Sequence, residues 1–137
     1  MTAMVLTAAY LNLTGPGNVH AYMSKIELTA EVEEKDVTVF TSLGWKEVTG
    51  GLKSGQLSCT FKNDYTDSAL DDDLWAVFGT VIAYEVRTTQ SAVGPSNPKW
   101  SGNVLIKSLQ PVMGSVGDVA EQSVSWPTSG AITRAEA

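Results

Sequence analysis

The feature that most constrains this chain is a period of two. Ile26, Leu28, Ala30 and Val32 alternate with Glu27, Thr29, Glu31 and Glu33. Successive side chains on an extended strand point to opposite faces, so this run predicts a strand with one apolar face and one acidic face. Leu57, Cys59 and Phe61 alternate with Ser58, Thr60 and Lys62 and predict a second strand. Val81 to Thr88 is rich in β-branched and aromatic residues, with Ile82, Tyr84 and Val86 on one side. Asn103 to Leu109 and Gln122 to Trp126 read as further strands. Val5 to Leu13 is a weaker candidate, a strand or an arm.

One segment departs from this pattern. Leu70, Leu74, Val77 and Phe78 follow helical spacing and predict one helix over about 67–78. Thr66 or Asp67 is placed to cap it, and Asp71, Asp72 and Asp73 put negative charge near its positive end. Gly79 follows the last apolar residue, where a terminating glycine belongs. The expected fold is mostly β: two packed antiparallel sheets, a sandwich or barrel, with one flanking helix. At 137 residues, 43% of them apolar, the chain is expected to be a single domain over 1–137.

Turns are marked by Gly15-Pro16-Gly17, Gly50-Gly51, Gly94-Pro95 with Asn97-Pro98, and Gly114 to Gly117. The connection over about 34–55 is long and holds Val37, Val39, Phe40, Leu43, Trp45, Val48 and Leu52. A solvated loop rarely carries so many large apolar groups. It is either an extended hairpin or a segment buried against another chain. Trp75 and Trp126 are expected in the core. Trp45 and Trp100 are read as loop residues and as contact candidates.

Residues for chemistry are scarce. Cys59 and His20 are the only residues of their kinds, so no internal disulfide and no zinc ligand pair can form. Cys59 reads as a small buried side chain, and His20 as a strand-edge or interface residue with no G-x-S-x-G partner. Three consecutive aspartates on a helix diverge, and the alternate acidic spacing of a calcium loop is missing. Gly50 to Gly55 lacks the order of a phosphate-binding loop. No catalytic residue, cofactor or metal is therefore expected, and the chain reads as not an enzyme.

The nine Lys and Arg are scattered and the net charge is −6, so a phosphate grip is not expected. No apolar run approaches the roughly 20 residues of a membrane span, and Met1 to Ser24 carries no Lys or Arg. An intracellular product without membrane insertion is expected. Glu27, Glu31 and Glu33 share one strand face, which is either solvated or the wall of an electronegative channel.

Several stretches, in this order, resemble the major tail tube proteins of long-tailed bacteriophages, of the compact non-contractile kind. They are Asn18-Val19-His20-Ala21-Tyr22-Met23-Ser24, Val37 to Thr41 with Gly44-Trp45-Lys46, and Gly51-Leu52-Lys53-Ser54-Gly55 to Phe61. They continue with Asn97-Pro98-Lys99-Trp100-Ser101-Gly102, Gly117-Asp118-Val119-Ala120, and Trp126 to Gly130 with Ile132 and Arg134. The tube fold is shared with gene transfer agents and type VI secretion tubes. The resemblance implies an N-terminal arm over about 1–15 and an inter-subunit loop over about 34–55. It implies hexameric rings stacked into a conduit for DNA ejection from capsid to host cell. Glu27, Glu31 and Glu33 would face the lumen; Phe40, Leu43, Trp45, Leu52 and Trp100 would lie between subunits.

The implied partners are copies of the chain itself, tail tip or baseplate proteins and a tail terminator. A tape measure protein would fill the lumen before ejection, and DNA would pass through without specific binding. The implied location is the virion tail, after synthesis in the host bacterial cytoplasm. The alternative is a non-assembling β-sandwich binding module, for instance for carbohydrate on a virion or cell surface, with Trp100 as a stacking platform. A small hydrolase is disfavoured by the missing site residues.

Overall fold

The computed structural model describes residues 3–137; the first two residues of the expected arm lie outside the described residues. The alternating segments form strands: β1 Tyr10–Leu13, β2 Gly17–Asn18, β3 Met23–Asp36, β4 Val48–Lys62, β5 Val81–Arg87, β6 Lys99–Leu105 and β7 Glu121–Ala135. The helix α1, Leu70–Val77, lies between β4 and β5. Every strand pairing is antiparallel, in the order β2-β1-β5-β6-β7-β4-β3. The fold is mostly β with one α-helix among the described residues.

The two expected sheets are joined into one seven-stranded sheet, and β7 joins them. Residues Glu121 to Pro127 pair with β4, while Thr128 to Ala135 pair with β6. Pro127 sits at the hand-over, opposite Gln56 on the last rung of the β4 ladder. A proline lacks the N–H that a continuing ladder needs, so it belongs where one ladder ends. The strand expected to stop at Trp126 therefore continues on a new partner.

Both halves of the sheet turn their apolar faces to one core. Leu11, Leu13, Tyr84, Val86 and Val104 come from one half, and Leu57, Cys59, Phe61, Val124 and Trp126 from the other. Trp126 is fully buried, its ring lies 6.3 Å from that of Phe61, and its Nε1 donates to the Ser108 carbonyl at 2.8 Å. Truncating such a side chain to alanine costs about 3–5 kcal/mol. Gly55 keeps the halves close. A Cβ there would lie 2.5 Å from Ile132 Cδ1 and 2.9 Å from the Thr29 carbonyl.

Three expectations are corrected. The helix starts at Leu70 rather than near 67, with Ala69 before it and no side-chain cap from Thr66 or Asp67. Ser68 takes a left-handed φ of 61°, which interrupts the chain before the helix, and Asp72 Oδ2 accepts its N–H at 2.7 Å. Trp75 is 59% exposed rather than in the core. It follows Leu74 by one residue, a rotation of roughly 100° away from the buried stripe. Strand β6 begins at Lys99, so Trp100 lies in a strand and not in a loop. The 34–55 connection is an extended hairpin, because β3 runs to Asp36 and β4 begins at Val48.

Burial pushes the Cys59 thiol up to about 12, from an ordinary value of 9.0. At pH 8 the thiolate needed for alkylation is then almost absent from the folded chain. Iodoacetamide should leave native Cys59 unlabelled at pH 8 and label it after unfolding; rapid labelling of the native chain would contradict this burial. Only the unfolded chain releases the proton between pH 9 and 12, so this contribution to stability is full below pH 9 and falls as pH rises to 12.

Candidate functional site

The register of β3, β4 and β7 sorts side chains into rows. Lys25 lies opposite Thr60 and then Ser123, Glu27 opposite Ser58 and then Ser125, and Glu31 opposite Ser54. The intervening rows, Ile26 with Cys59 and Val124, and Leu28 with Leu57 and Trp126, turn to the core. Strand alternation therefore makes the outer face polar wherever the inner face is apolar. Ser58 Oγ and Ser125 Oγ lie 2.9 Å apart, Thr60 Oγ1 and Ser123 Oγ 3.1 Å apart, and Thr29 Oγ1 donates to Glu27 Oε1 at 3.1 Å.

Glu27, Glu31 and Glu33 share this face along β3. They differ in their partners. Glu33 pairs with Lys35 at 2.5 Å, as Lys62 does with Glu121 at 2.5 Å. Among the described residues, Glu27 and Glu31 make no ion pair within 4 Å. The face is thus weakly acidic and rich in hydroxyls. The hydroxyl rows were legible in the alternation of Ser54, Gln56, Ser58 and Thr60, though only the carboxylates stood out. The edge of this face is open: β3 pairs with β4 alone, and its 14 residues face no partner on the other side among the described residues.

The hairpin tip is tied by hydrogen bonds among its own residues. Asp36 Oδ1 accepts the Thr38 N–H at 2.8 Å, and hydrogen bonds from the Thr38 side chain and backbone hold the Asp36 carboxyl below its usual range. Glu47 N–H donates to Thr38 Oγ1 at 2.8 Å, and Val37 N–H to the Glu47 carbonyl at 3.0 Å. A 3-10 turn over Phe40–Ser42 follows, with the Val39 N–H on Ser42 Oγ at 3.2 Å. Leu43 and Gly44 reverse the chain at φ of 55° and 84°. A leucine in that region carries strain that an unconstrained loop would shed.

On this ordered frame the large side chains point into solvent. Phe40 is 103% exposed, Leu43 85% and Trp45 78%. Leu52, on β4, is also exposed, beside the bulge where Gly51 and Leu52 oppose Glu33. Trp100 does not join them. It is half-buried on β6 opposite Val86 and Arg134, with the Arg134 guanidinium 5.9 Å from its ring.

A second apolar surface was not singled out from the sequence, where it showed only as a glycine-marked turn. Gln110 N–H donates to Gln122 Oε1 at 3.1 Å, and Tyr65 OH donates to the Pro111 carbonyl at 2.6 Å. The Asn63 N–H holds the Ala120 carbonyl at 2.9 Å. Between these anchors Val112, Val116 and Val119 are exposed, Val116 fully. Met113, Gly114, Asp118, Val119, Lys62 and Glu121 enclose a cleft of about 570 Å³ beside them. Four apolar residues, Val112, Met113, Val116 and Val119, in one loop that also holds Gly114 and Gly117 were the available signal.

His20 is occupied in the fold: its Nδ1 lies 3.3 Å from both the N–H and the carbonyl oxygen of Leu11, and its ring lies 5.0 Å from that of Tyr10. Among the described residues, no group of three or more His, Cys, Asp or Glu is placed to hold a metal ion. No helix among them is long and apolar enough to cross a membrane.

No protein-family model matches the sequence, and no curated protein matches it. Solved structures do match its fold. A chain from the virion of a native gene transfer agent particle superposes with a TM-score of 0.76 at 20% identity, covering 97% of this chain and 99% of that one. A chain from the tail of an empty gene transfer agent particle, with C6 symmetry, superposes at 0.70 and 23% identity over 92% of each chain. This chain therefore has the fold of chains found in gene transfer agent particles, one of them in the tail.

Proposed function

We propose that this chain is the structural subunit of a phage-like tail tube. Six copies form a ring, rings stack into a tube, and DNA passes through the lumen from capsid to host cell. The observation that carries this reading is the β3–β4 hairpin, which combines an unpaired strand edge with an ordered, exposed apolar tip. A monomer would pay for both features in solubility. A ring gives the edge a neighbouring strand, and a stack buries the tip. The fold likeness to a chain of a C6-symmetric tail supports the same assembly.

The polar face supplies the lumen in this reading. Glu27, Glu31 and Glu33 would face passing DNA, with the serine and threonine rows between them. Unpaired carboxylates repel phosphates, and hydroxyls offer weak, sequence-independent contacts, so DNA slides without being trapped. The residues Phe40, Leu43, Trp45 and Leu52 would be buried between subunits. A tape measure protein would occupy the lumen before ejection, with tip or baseplate proteins at one end and a terminator at the other. The chain would be made in the host bacterial cytoplasm and reside in the virion tail. A carbohydrate-binding module is less well supported, because Trp100 is half-buried beneath Arg134 and is a poor stacking platform.

Two measurements test this reading. Concentrated protein in negative-stain electron microscopy should show rings or tubes, and Phe40→Asp with Trp45→Asp should stop stacking while leaving the circular dichroism spectrum unchanged. A wild-type chain that remains monomeric, with measurable glycan affinity, would favour the binding module. Charge reversal tests the lumen. Assembled wild type should not retain short duplex DNA, whereas Glu27→Lys with Glu31→Lys should retain it at about 50 mM salt and lose most of it by about 200 mM. Equal retention by both would remove these carboxylates from the lumen.

A further inference from the structure

We infer that helix α1 is a docking surface for a basic segment of a different protein, whose apolar side chains seat on the Trp75–Phe78 pair and whose Arg or Lys side chains meet the aspartates around it. The inference goes beyond the tail-tube reading and concerns a face that reading leaves unused. Trp75 and Phe78 are both exposed, and their rings lie 5.3 Å apart, tilted by 34°. Asp71, Trp75 and Phe78 follow at i, i+4 and i+7, so they form one stripe beside the buried stripe of Leu70 and Leu74. Large aromatic side chains are enriched at the centres of protein interfaces, where they carry much of the binding energy.

The charge around the pair sets the sign of the partner. The stretch from Asn63 to Tyr84 holds five acidic residues, Asp64, Asp67, Asp71, Asp72 and Asp73, and no Lys or Arg. The rest of the chain carries ten acids against nine bases, so this stretch holds five of the six net negative charges. Asp64 and Asp72 accept the Thr66 and Ser68 N–H groups at 2.9 and 2.7 Å. Among the described residues, none of the five pairs with a base within 4.0 Å. Negative charge at a helix start is favourable in itself, but it gives no reason for two exposed aromatics beside it. An arginine satisfies both features, since its guanidinium pairs with carboxylates and stacks on aromatic faces.

A second copy of this chain does not fit the surface. Six of its nine bases, Lys35, Lys46, Lys62, Arg87, Lys99 and Arg134, already lie within 4.0 Å of a carboxylate. The other three, Lys25, Lys53 and Lys107, are carried one each by β3, β4 and the segment after β6. Setting α1 against α1 would bring like charges together. The helix also stands apart from the polar face. Leu70 and Leu74 join the core, on the opposite side of β3, β4 and β7 from the Ser58–Ser125 row, so on the tail-tube reading α1 is turned away from the lumen.

A peptide probe tests the surface. A short fluorescein-labelled peptide of interspersed Arg and Leu is titrated with the chain, and anisotropy reads binding. Wild type should bind it, more weakly as salt rises from about 50 to 200 mM, and should not bind the same peptide with Glu for Arg. Trp75→Ser with Phe78→Ser should weaken binding about tenfold, as should Asp67→Asn with Asp71→Asn. Phe40→Ser with Trp45→Ser, the same change at the other exposed aromatic surface, should leave it unchanged. Circular dichroism and Cys59 protection report folding, and Trp75→Ser alone replaces the double variant if that unfolds. No binding by wild type, or equal binding by wild type and the Trp75 variant, would overturn the inference. So would loss of tube assembly in the Trp75 variant, because the pair would then lie between copies. A wild-type chain that never assembles would overturn the tail-tube reading alone, and the peptide would still decide this inference.

Discussion

The register between β4 and β7 is the constraint on which the rest depends. It sets Leu57 against Trp126 and Cys59 against Val124 on the core side, and Ser58 against Ser125 on the other. A slip of β7 by one residue against β4 would turn Val124 and Trp126 outward and bury Ser123 and Ser125, losing the core and the polar face together. The Trp126 indole also reaches the Ser108 carbonyl, so the same register anchors the segment between β6 and β7. Beyond Pro127 the strand leaves β4 for β6, and that exchange binds the two halves of the sheet into one body. Gly55 permits the close approach at this crossing, since any side chain would meet Ile132 and Thr128.

Segments were legible in the sequence where one face is buried and the other is not. β5, the first half of β7, β4 from Leu57 onward and β3 as far as Leu28 fit that description, and their alternation places Leu57, Phe61, Val86 and Trp126 in the core, whereas Ala30 and Val32 continue the alternation but are exposed. The second half of β7 was hidden because Pro127 reads as a stop and Thr128 to Ala135 is mostly exposed. β6 was displaced because Lys99, Trp100, Ser101 and Gly102 carry little apolar pattern; their position is set by pairing with β5 and β7. The helix start depended on the left-handed backbone of Ser68, which a serine does not announce.

The candidate surfaces divide in the same way. The shared face of Glu27, Glu31 and Glu33 followed from period two alone, whereas the ion pair of Glu33 with Lys35 needed coordinates. The apolar content of the 34–55 connection was plain, but its composition could not choose between a hairpin and a buried segment. The hairpin proves to be both ordered and exposed: hydrogen bonds within its tip hold the turn, while its large apolar side chains there stand in solvent. That mismatch between an ordered frame and exposed apolar groups favours assembly over a solitary existence.

On the proposed reading, a single strand pair carries three duties: its inner face builds the core, its outer face lines a channel, and its tip joins successive layers. The most direct measurement is a cryo-electron microscopy reconstruction of the assembled protein. The expected result is a six-fold tube with Glu27, Glu31, Ser58 and Ser125 on the lumen wall and β3 paired across the subunit boundary. A tube with those side chains on its outer surface, or an assembly that leaves the β3 edge unpaired, would contradict it.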